Sequence, residues 1–167
     1  MQIRRLHSNE VALFRNLQLE ALEDAPTAFR ETLADAQARS DGEWQQTVRS
    51  LAEDDQQIYL LAEKEDTAVG MIGAIRDRQD PAITWVTSLW VQKHQRGQGI
   101  ASALLDTLLQ WAQEQKKTHL RLRVTETNAT AIALYRRAGF QDEGERLRIP
   151  WHPSLHVVSM SLQLPPN

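Results

Sequence analysis

The chain contains no cysteine among its 167 residues. Disulfide bonds, zinc sites built from thiolates and a cysteine nucleophile are therefore excluded. Histidine is scarce, with five residues, and Pro153 lies between His152 and His156 in a segment that alternates like a strand. Because these two side chains need not converge on one ion, we predict no metal site.

Long apolar runs and an excess of positive charge are also missing. No stretch approaches the roughly 18–20 apolar residues of a membrane-spanning helix, and no signal-peptide core follows the first residues. The formal net charge of −3 gives no basic surface for the phosphates of a nucleic acid. We therefore expect a cytoplasmic protein that binds neither membranes nor nucleic acids.

The residues that are present suffice for one compact core. Hydrophobic residues make up 41% of the chain and charged residues 25%, as in ordinary globular proteins. A chain of this size buries about 70% of the surface that its unfolded form exposes. We predict a single α/β domain over residues 1–167, in which about four helices flank a mixed, mostly antiparallel sheet of about seven strands.

Capping residues and hydrophobic spacing place these elements along the chain. Ser8 is a candidate N-cap for a first helix, and Ser40-x-x-Glu43 is a capping box for a second. Two further helices are predicted over residues 97–116 and 128–137. Alternating or β-branched residues predict strands over residues 2–6, 58–62, 69–75, 83–91, 120–124, 140–149 and 155–164.

A glycine-containing segment, residues 92–99, follows the predicted strand 83–91 and is named the glycine loop here. Gly97 and Gly99 stand one residue apart where the strand gives way to a helix. The first N–H groups of a helix have no partners within it, and the helix dipole adds positive potential. Small residues let a phosphate approach these groups closely. A strand-to-helix turn without a ligand fits the pattern equally well.

Two nucleotide-binding motifs match this segment poorly. The dinucleotide fingerprint requires a third glycine or alanine, where the chain has Ser102. It also requires an acid about 20 residues later, and residues 120–122 contain none. A P-loop requires Gly-Lys-Ser/Thr, which is absent. A nucleotide-binding oxidoreductase is therefore the weaker interpretation.

A second segment follows about 30 residues later and reads Asn128-x-x-Ala131-x-x-Leu134-Tyr135-x-x-x-Gly139-Phe140. Together, the two segments resemble the GNAT N-acetyltransferase superfamily. Its cofactor motif, Arg/Gln-x-x-Gly-x-Gly/Ala, is matched by Arg96, Gly99 and Ala101. The resemblance covers about residues 83–140, and it departs from the family at Lys93, where members often carry proline.

The resemblance implies transfer of an acyl group from a CoA thioester, with acetyl-CoA as the donor. The main chain of Leu89, Trp90 and Val91 would bind the pantetheine arm between two splayed parallel strands, and Asn128 would reach that arm. Backbone N–H groups would hold the pyrophosphate. The implied pyrophosphate residues are Gly97, Gln98, Gly99, Ile100, Ala101 and Ser102, with Arg96, Lys93, Arg136 and Arg137 as nearby cations.

Tyr135 and Glu126 are the candidate catalytic residues. The resemblance implies that Tyr135 protonates the departing thiolate, and the pKa values of a thiol, near 8.5, and of tyrosine, near 10, make this transfer nearly balanced. An amine acceptor also needs a base, and residues 81–93 contain no acid. Glu126 is the first candidate, with Glu20 and Glu23 behind it. Both residues also have a non-catalytic interpretation. Tyr135 would then be a packed aromatic residue on a short helix, and Glu126 a solvated carboxylate.

Three functions thus stay open from the sequence. The favoured one is direct acetyl transfer to a primary amine, without a covalent enzyme intermediate. A regulatory CoA-binding module without turnover is the second, because the strand acid is missing, and the oxidoreductase is the third. The acceptor is not identified; its determinants are expected within residues 7–57. The resemblance also allows a homodimer.

Overall fold

One seven-stranded sheet forms the centre of the computed structural model, which describes residues 1–166. The strand order is β1-β2-β3-β4-β5-β7-β6. Within the described residues, β4 and β5 run parallel and all other neighbours run antiparallel. The strands are β1 (Gln2–Arg5), β2 (Ile58–Lys64), β3 (Thr67–Arg76), β4 (Ile83–Val91), β5 (His119–Thr125), β6 (Gln141–Ile149) and β7 (His152–Gln163). The predicted fold class is confirmed.

Five α-helices accompany the sheet in this part of the chain, and a short 3₁₀ turn, Lys93–Gln95, lies inside the glycine loop. The helices are α1 (Val11–Asp24), α2 (Leu33–Gln37), α3 (Asp41–Glu53), α4 (Ile100–Glu114) and α5 (Ala129–Arg137). None of them combines the length and apolar character that crossing a bilayer requires.

The two faces of the sheet carry separate cores. Strand β5 alternates, so Leu120, Leu122 and Val124 pack into the core beneath α4 and α5. Strand β2 contributes to both cores, since its Tyr59 and Leu61 point to the opposite face, where α1 and α3 cover them. With both faces covered, the parallel pair lies in the interior of the molecule.

Strands β4 and β5 separate soon after they meet. Their pairing runs only from Ile83 opposite His119 to Trp85 opposite Arg121. Beyond that point, β4 shifts register against β3 and Ser88 adopts a left-handed φ of 59°, which marks a bulge. The bulge bends β4 away from β5. We call the space between residues 86–91 of β4 and 122–125 of β5 the strand gap.

Three sequence-based boundaries need correction. Ser8 does not cap α1: Glu10 occupies the N-cap, because Arg4 pairs with its carboxylate at 2.7 Å and His7 N–H donates to it at 2.8 Å. Helix α2 was not predicted, although Thr32 and Asp35 form its capping box. Helix α4 begins at Ile100 rather than Gly97, since both loop glycines have left-handed φ angles.

Candidate active site

The backbone N–H groups of residues 97–102 are free donors. No other group in the described residues 1–166 accepts a hydrogen bond from any of them, and the first N–H of α4 with a partner is that of Ala103, which bonds to the Gly99 carbonyl at 3.0 Å. Six consecutive donors at the start of a 15-residue helix form a region of positive potential. Such a region is suited to bind a phosphate group.

Gly97 and Gly99 give these donors their arrangement. Their φ angles are 77° and 79°, a left-handed conformation that costs other L-residues about 1–2 kcal/mol. Apart from the neighbouring residues in the chain, a Cβ atom at either position would have no described atom within 4 Å, so it would project into open space. Both glycines are therefore required by the backbone, and they leave room for a ligand.

Side chains from α1 and β4 fix the glycine loop. The Arg96 guanidinium donates to the Val91 carbonyl at 3.0 Å and pairs with Asp24 at the end of α1. Asp24 also accepts a hydrogen bond from the Trp90 indole at 2.8 Å. The Trp90 bond first, and then Arg96, lower the pKa of Asp24 below its usual value. The Arg96 side chain thus anchors the loop to α1.

Lys64 is a cation at the loop that the sequence did not indicate. It lies at the end of β2, where its ammonium group donates to Gln95 at 3.2 Å and to Gln98. Gln98 belongs to the set of free donors described above. A lysine therefore stands beside the proposed phosphate position, brought there by the β2–β3 hairpin.

Helix α5 carries Asn128 and Tyr135 from the second sequence segment. Asn128 caps the helix by accepting from the Ala131 N–H at 3.2 Å, which leaves its amide nitrogen available for a ligand. Tyr135 is buried, and its ring meets that of Phe140 edge-on at 5.8 Å. Burial raises the pKa of Tyr135 above its usual value of 10.0, so the hydroxyl is protonated at neutral pH.

Glu126 follows the end of β5. Its carboxylate accepts from the His156 N–H at 3.2 Å and lies 3.3 Å from the His156 Nδ1 atom. It lines a cavity of about 360 Å³ together with Arg136, Asp142 and Arg146. Glu20, the second candidate base, lies on α1 and accepts from the Gln92 amide at 3.2 Å.

A larger cavity, of about 460 Å³, lies on the α1–α3 face of the sheet. We name it the arginine cavity. The segment of residues 25–32 between α1 and α2 closes one side, held by Thr125, whose hydroxyl donates to the Thr27 carbonyl at 2.9 Å. Its lining includes Arg30, Glu31, Arg39, Trp85, Ser88 and Arg123. The sequence did not predict this cavity, although residues 28–31 in its lining fall within the segment 7–57 that was expected to determine the acceptor.

Comparison with known proteins supports the family indicated by the two sequence segments. The model of the acetyltransferase (GNAT) family matches residues 18–140, most of the chain. This chain belongs to the GNAT family. It is 34% identical over 113 residues to N-acetyltransferase 8 of Homo sapiens, a match that covers 64% of this chain and 49% of that protein. The chain therefore matches about half the length of this relative.

Solved GNAT structures share the fold over nearly the whole chain. The ribosomal-protein-alanine N-acetyltransferase of Brucella melitensis is 26% identical, with a TM-score of 0.79 over 98% of this chain and 100% of that one. The phosphinothricin acetyltransferase of Sinorhizobium meliloti, solved with acetyl-CoA, is 18% identical, with a TM-score of 0.81 over 99% and 92% of the two chains. The second likeness concerns the fold alone.

The predicted cofactor residues lie on three elements: the end of β4, the start of α4 and the start of α5. Leu89 and Trp90 lie at the strand gap and residues 97–102 line the start of α4, while Asn128 begins α5. Glu126 lies apart from the arginine cavity and lines the smaller one. Among residues 1–166, no group of three or more His, Asp or Glu side chains could hold a metal ion. The sequence missed Lys64, Asp24 and the arginine cavity, because only distant contacts bring them to the site.

Proposed function

We propose that the protein is an acyl-CoA-dependent N-acetyltransferase that moves an acetyl group from acetyl-CoA to a primary amine. The observation that carries this proposal is the row of six free N–H groups, residues 97–102, beside a gap between two parallel strands. A linear molecule with a pyrophosphate at one end and a thioester at the other fits such a site. The Sinorhizobium meliloti acetyltransferase, which shares this fold, was solved with acetyl-CoA.

Each part of the site binds one part of the donor. The N–H groups of residues 97–102 hold the pyrophosphate, with Lys64 adding positive charge. The main chain of Leu89, Trp90 and Val91 binds the pantetheine arm along the strand gap. The free amide nitrogen of Asn128 donates to the arm from the opposite side.

The chain's residues then direct the transfer. Acetyl-CoA supplies the acetyl thioester. Backbone N–H groups near Leu89 and Trp90 polarise its carbonyl, as in an oxyanion hole. As the amine nitrogen bonds to the carbonyl carbon and the carbon–sulfur bond breaks, Tyr135 donates its proton to the sulfur. Burial raises the pKa of Tyr135, so its hydroxyl keeps the proton until the thiolate leaves.

The amine must also lose a proton. Glu126 is the proposed base, acting with His156, which lies 3.3 Å from its carboxylate. Both groups lie where the end of β5 meets β7, next to α5. Glu20, held by Gln92, is the alternative on the α1 side.

Calorimetry and turnover assays test this proposal together. We expect acetyl-CoA to bind with measurable heat and NAD to bind weakly or not at all. We also expect free thiol to be released when a panel of primary amines is added. Binding of CoA without thiol release from any amine identifies a regulatory module, whereas preferential binding of NAD identifies the nucleotide-binding oxidoreductase. Either result contradicts the proposed function.

A further inference from the structure

The arginine cavity contains positive charge that the protein itself leaves largely unbalanced. Of its three arginines, Arg39 is paired with Glu31 at 2.5 Å. Arg30 forms no ion pair or hydrogen bond with any other residue in 1–166, and Arg123 has only Glu145, at 3.7 Å. Two guanidinium groups in one cavity therefore lack a close anionic partner.

The lack of an anionic partner is clearest at Arg123. It projects from β5, and its Nε atom is buried without a hydrogen-bond acceptor among the described residues. Glu145 is shared, since it also accepts from Ser159 at 3.1 Å and lies 4.0 Å from Arg121. Leaving a buried donor unsatisfied costs about 1–3 kcal/mol, and more for a charged group. An anion in the cavity would offset this cost.

The Trp85 ring contacts two of the cavity's arginines, Arg30 and Arg123, and also Arg121, which is outside the cavity lining. The guanidinium carbons of Arg30, Arg121 and Arg123 lie 5.2, 4.8 and 4.9 Å from its centroid. The indole itself is fixed, because it donates to Asp77 at 2.7 Å. Arg121 is balanced by Glu143 at 2.6 Å. Burial, and then the nearby charge of Arg123, lower the pKa of Arg30, while Asp77 opposes this shift.

The cavity also adjoins the reacting position. Ser88, at the bulge of β4, lines it and directly precedes Leu89 in the strand gap. A volume of about 460 Å³ is that of a small-molecule site rather than of a broad protein surface. A compact molecule held by its anionic end at Arg123 can therefore extend its other end toward β4.

We infer that the arginine cavity is the acceptor site and that Arg30 and Arg123 bind the carboxylate of an amino-acid-type primary amine. This inference rests on the proposed acetyltransferase function and adds the substrate class. The amine of such a molecule points to the strand gap while its carboxylate completes the partners of the two arginines. Polyamines, which bring only positive charge, are disfavoured by the same groups.

Matched substrates provide the first test. Common L-amino acids and their carboxamides are compared by thiol release from acetyl-CoA. The carboxamides contain more free amine at neutral pH, so intrinsic reactivity favours them. We nevertheless expect the preferred amino acid to have the higher kcat/KM, through a lower KM. A carboxamide or a polyamine that equals or exceeds it overturns the inference.

Arginine variants provide the second test. We expect Arg123→Gln and Arg30→Gln each to raise the KM for the preferred amino acid about 10- to 100-fold, as expected for a lost charged hydrogen bond. The KM for its carboxamide and the affinity for acetyl-CoA stay unchanged. Arg49→Gln, at an exposed position on α3, is the matched control and changes neither. Arg123→Lys, which keeps the charge, restores part of the affinity if the glutamine variant folds poorly. Equal effects on acid and amide contradict the assignment.

A binding experiment distinguishes failure of this inference from failure of the proposed function. Calorimetry on the CoA-loaded protein compares N-acetyl amino acids with N-acetyl amino acid amides. If binding requires both the carboxylate and Arg123 but no amine is ever acetylated, the carboxylate site stands and the proposed acetyltransferase function is wrong. If amines without a carboxylate are acetylated equally well by wild type and Arg123→Gln, the acetyltransferase function stands and the carboxylate site is wrong.

Discussion

The proposed donor side and the proposed acceptor side of this molecule offer different kinds of groups to their ligands. On the donor side, the groups offered to the ligand are main-chain N–H groups of residues 97–102, positioned by two left-handed glycines. On the acceptor side, they are the side chains of Arg30 and Arg123 around Trp85. A main-chain site depends on local backbone conformation, whereas a side-chain site depends on contacts between distant segments.

The difference has a consequence for how each side tolerates substitution. A family can keep the donor side with a few glycines and a capping residue, while the acceptor side changes with single side chains. One fold can in this way carry different acceptor sites beside the same kind of donor site. The following variants test this division, from the largest expected effect to the smallest.

Tyr135→Phe, which removes the proposed general acid, should have the largest effect. We expect kcat to fall about 100- to 10,000-fold, the usual contribution of a positioned general acid. The affinity for acetyl-CoA, measured by calorimetry, should stay unchanged because the ring is kept. Phe140→Leu is the control: it removes the ring contact and lowers stability, but it spares the hydroxyl and most of kcat. A Tyr135→Phe enzyme of normal rate would show that another group, or water, protonates the sulfur.

On the donor side, Gly99→Ala and Gly144→Ala form a matched pair. Their φ angles are 79° and 81°, and a Cβ atom at either position meets no described atom within 4 Å. Each alanine should lower the free energy of unfolding by about 1–2 kcal/mol. Only Gly99→Ala should weaken acetyl-CoA binding, by about tenfold or more, equivalent to at least about 1.4 kcal/mol. Equal Kd values for the two variants would place the pyrophosphate elsewhere.

Asp24→Asn tests the link between α1 and the glycine loop. The variant keeps a partner for the Trp90 indole but removes the charge that faces Arg96. Because this pair is partly exposed, we expect a loss of stability of about 0.5–1 kcal/mol. A several-fold weaker binding of acetyl-CoA should accompany it. Arg15→Gln, which breaks the exposed pair with Asp41, should leave binding intact. Unchanged binding in Asp24→Asn would mean that the loop keeps its shape without this anchor.

The smallest effect concerns Asp77, which fixes Trp85 on the acceptor side. The hydrogen bond from the Trp85 indole, followed by those from the backbone of Asp80 and Gln79, lowers the pKa of Asp77 from 3.8 to about 2. Its contribution to stability is therefore present above pH 3.8 and is lost as the pH falls through about 2. The stability difference between wild type and Asp77→Asn, from urea unfolding, should shrink over this interval. If the stability difference between the two proteins does not change with pH, the ionised Asp77 carboxylate does not stabilise the fold.

Much of the donor side could be predicted from the sequence. Asn128 begins the short helix that was predicted from residue 128, and its side chain caps that helix. The two glycines were recognised as a phosphate-binding pattern, but their left-handed backbone, which delays the start of α4 to Ile100, was not predicted. The seven strands were also recognisable from alternation, and β4 was predicted with its observed bounds. Errors arose where a contact outweighed a local preference: Arg4, on a neighbouring strand, holds Glu10 in the position expected for the Ser8 cap.

The acceptor side could not be predicted in the same way. Arg30 and Arg123 lie far apart in the sequence, and each by itself resembles an ordinary surface arginine. Only the packing of the 25–32 segment against β5, through Thr27 and Thr125, brings them to the same tryptophan. Lys64 is a similar case, since the β2–β3 hairpin carries it to the glycine loop. Such sites need a three-dimensional structure.

The central claim is that main-chain N–H groups at the start of α4 hold the pyrophosphate of coenzyme A. Amide proton–nitrogen NMR spectra of the labelled protein, titrated with CoA and separately with pantetheine, test it most directly. We predict that the signals of residues 97–102 shift strongly with CoA and remain in place with pantetheine, which has no pyrophosphate. Signals from these residues that stay unchanged at saturating CoA would contradict the account.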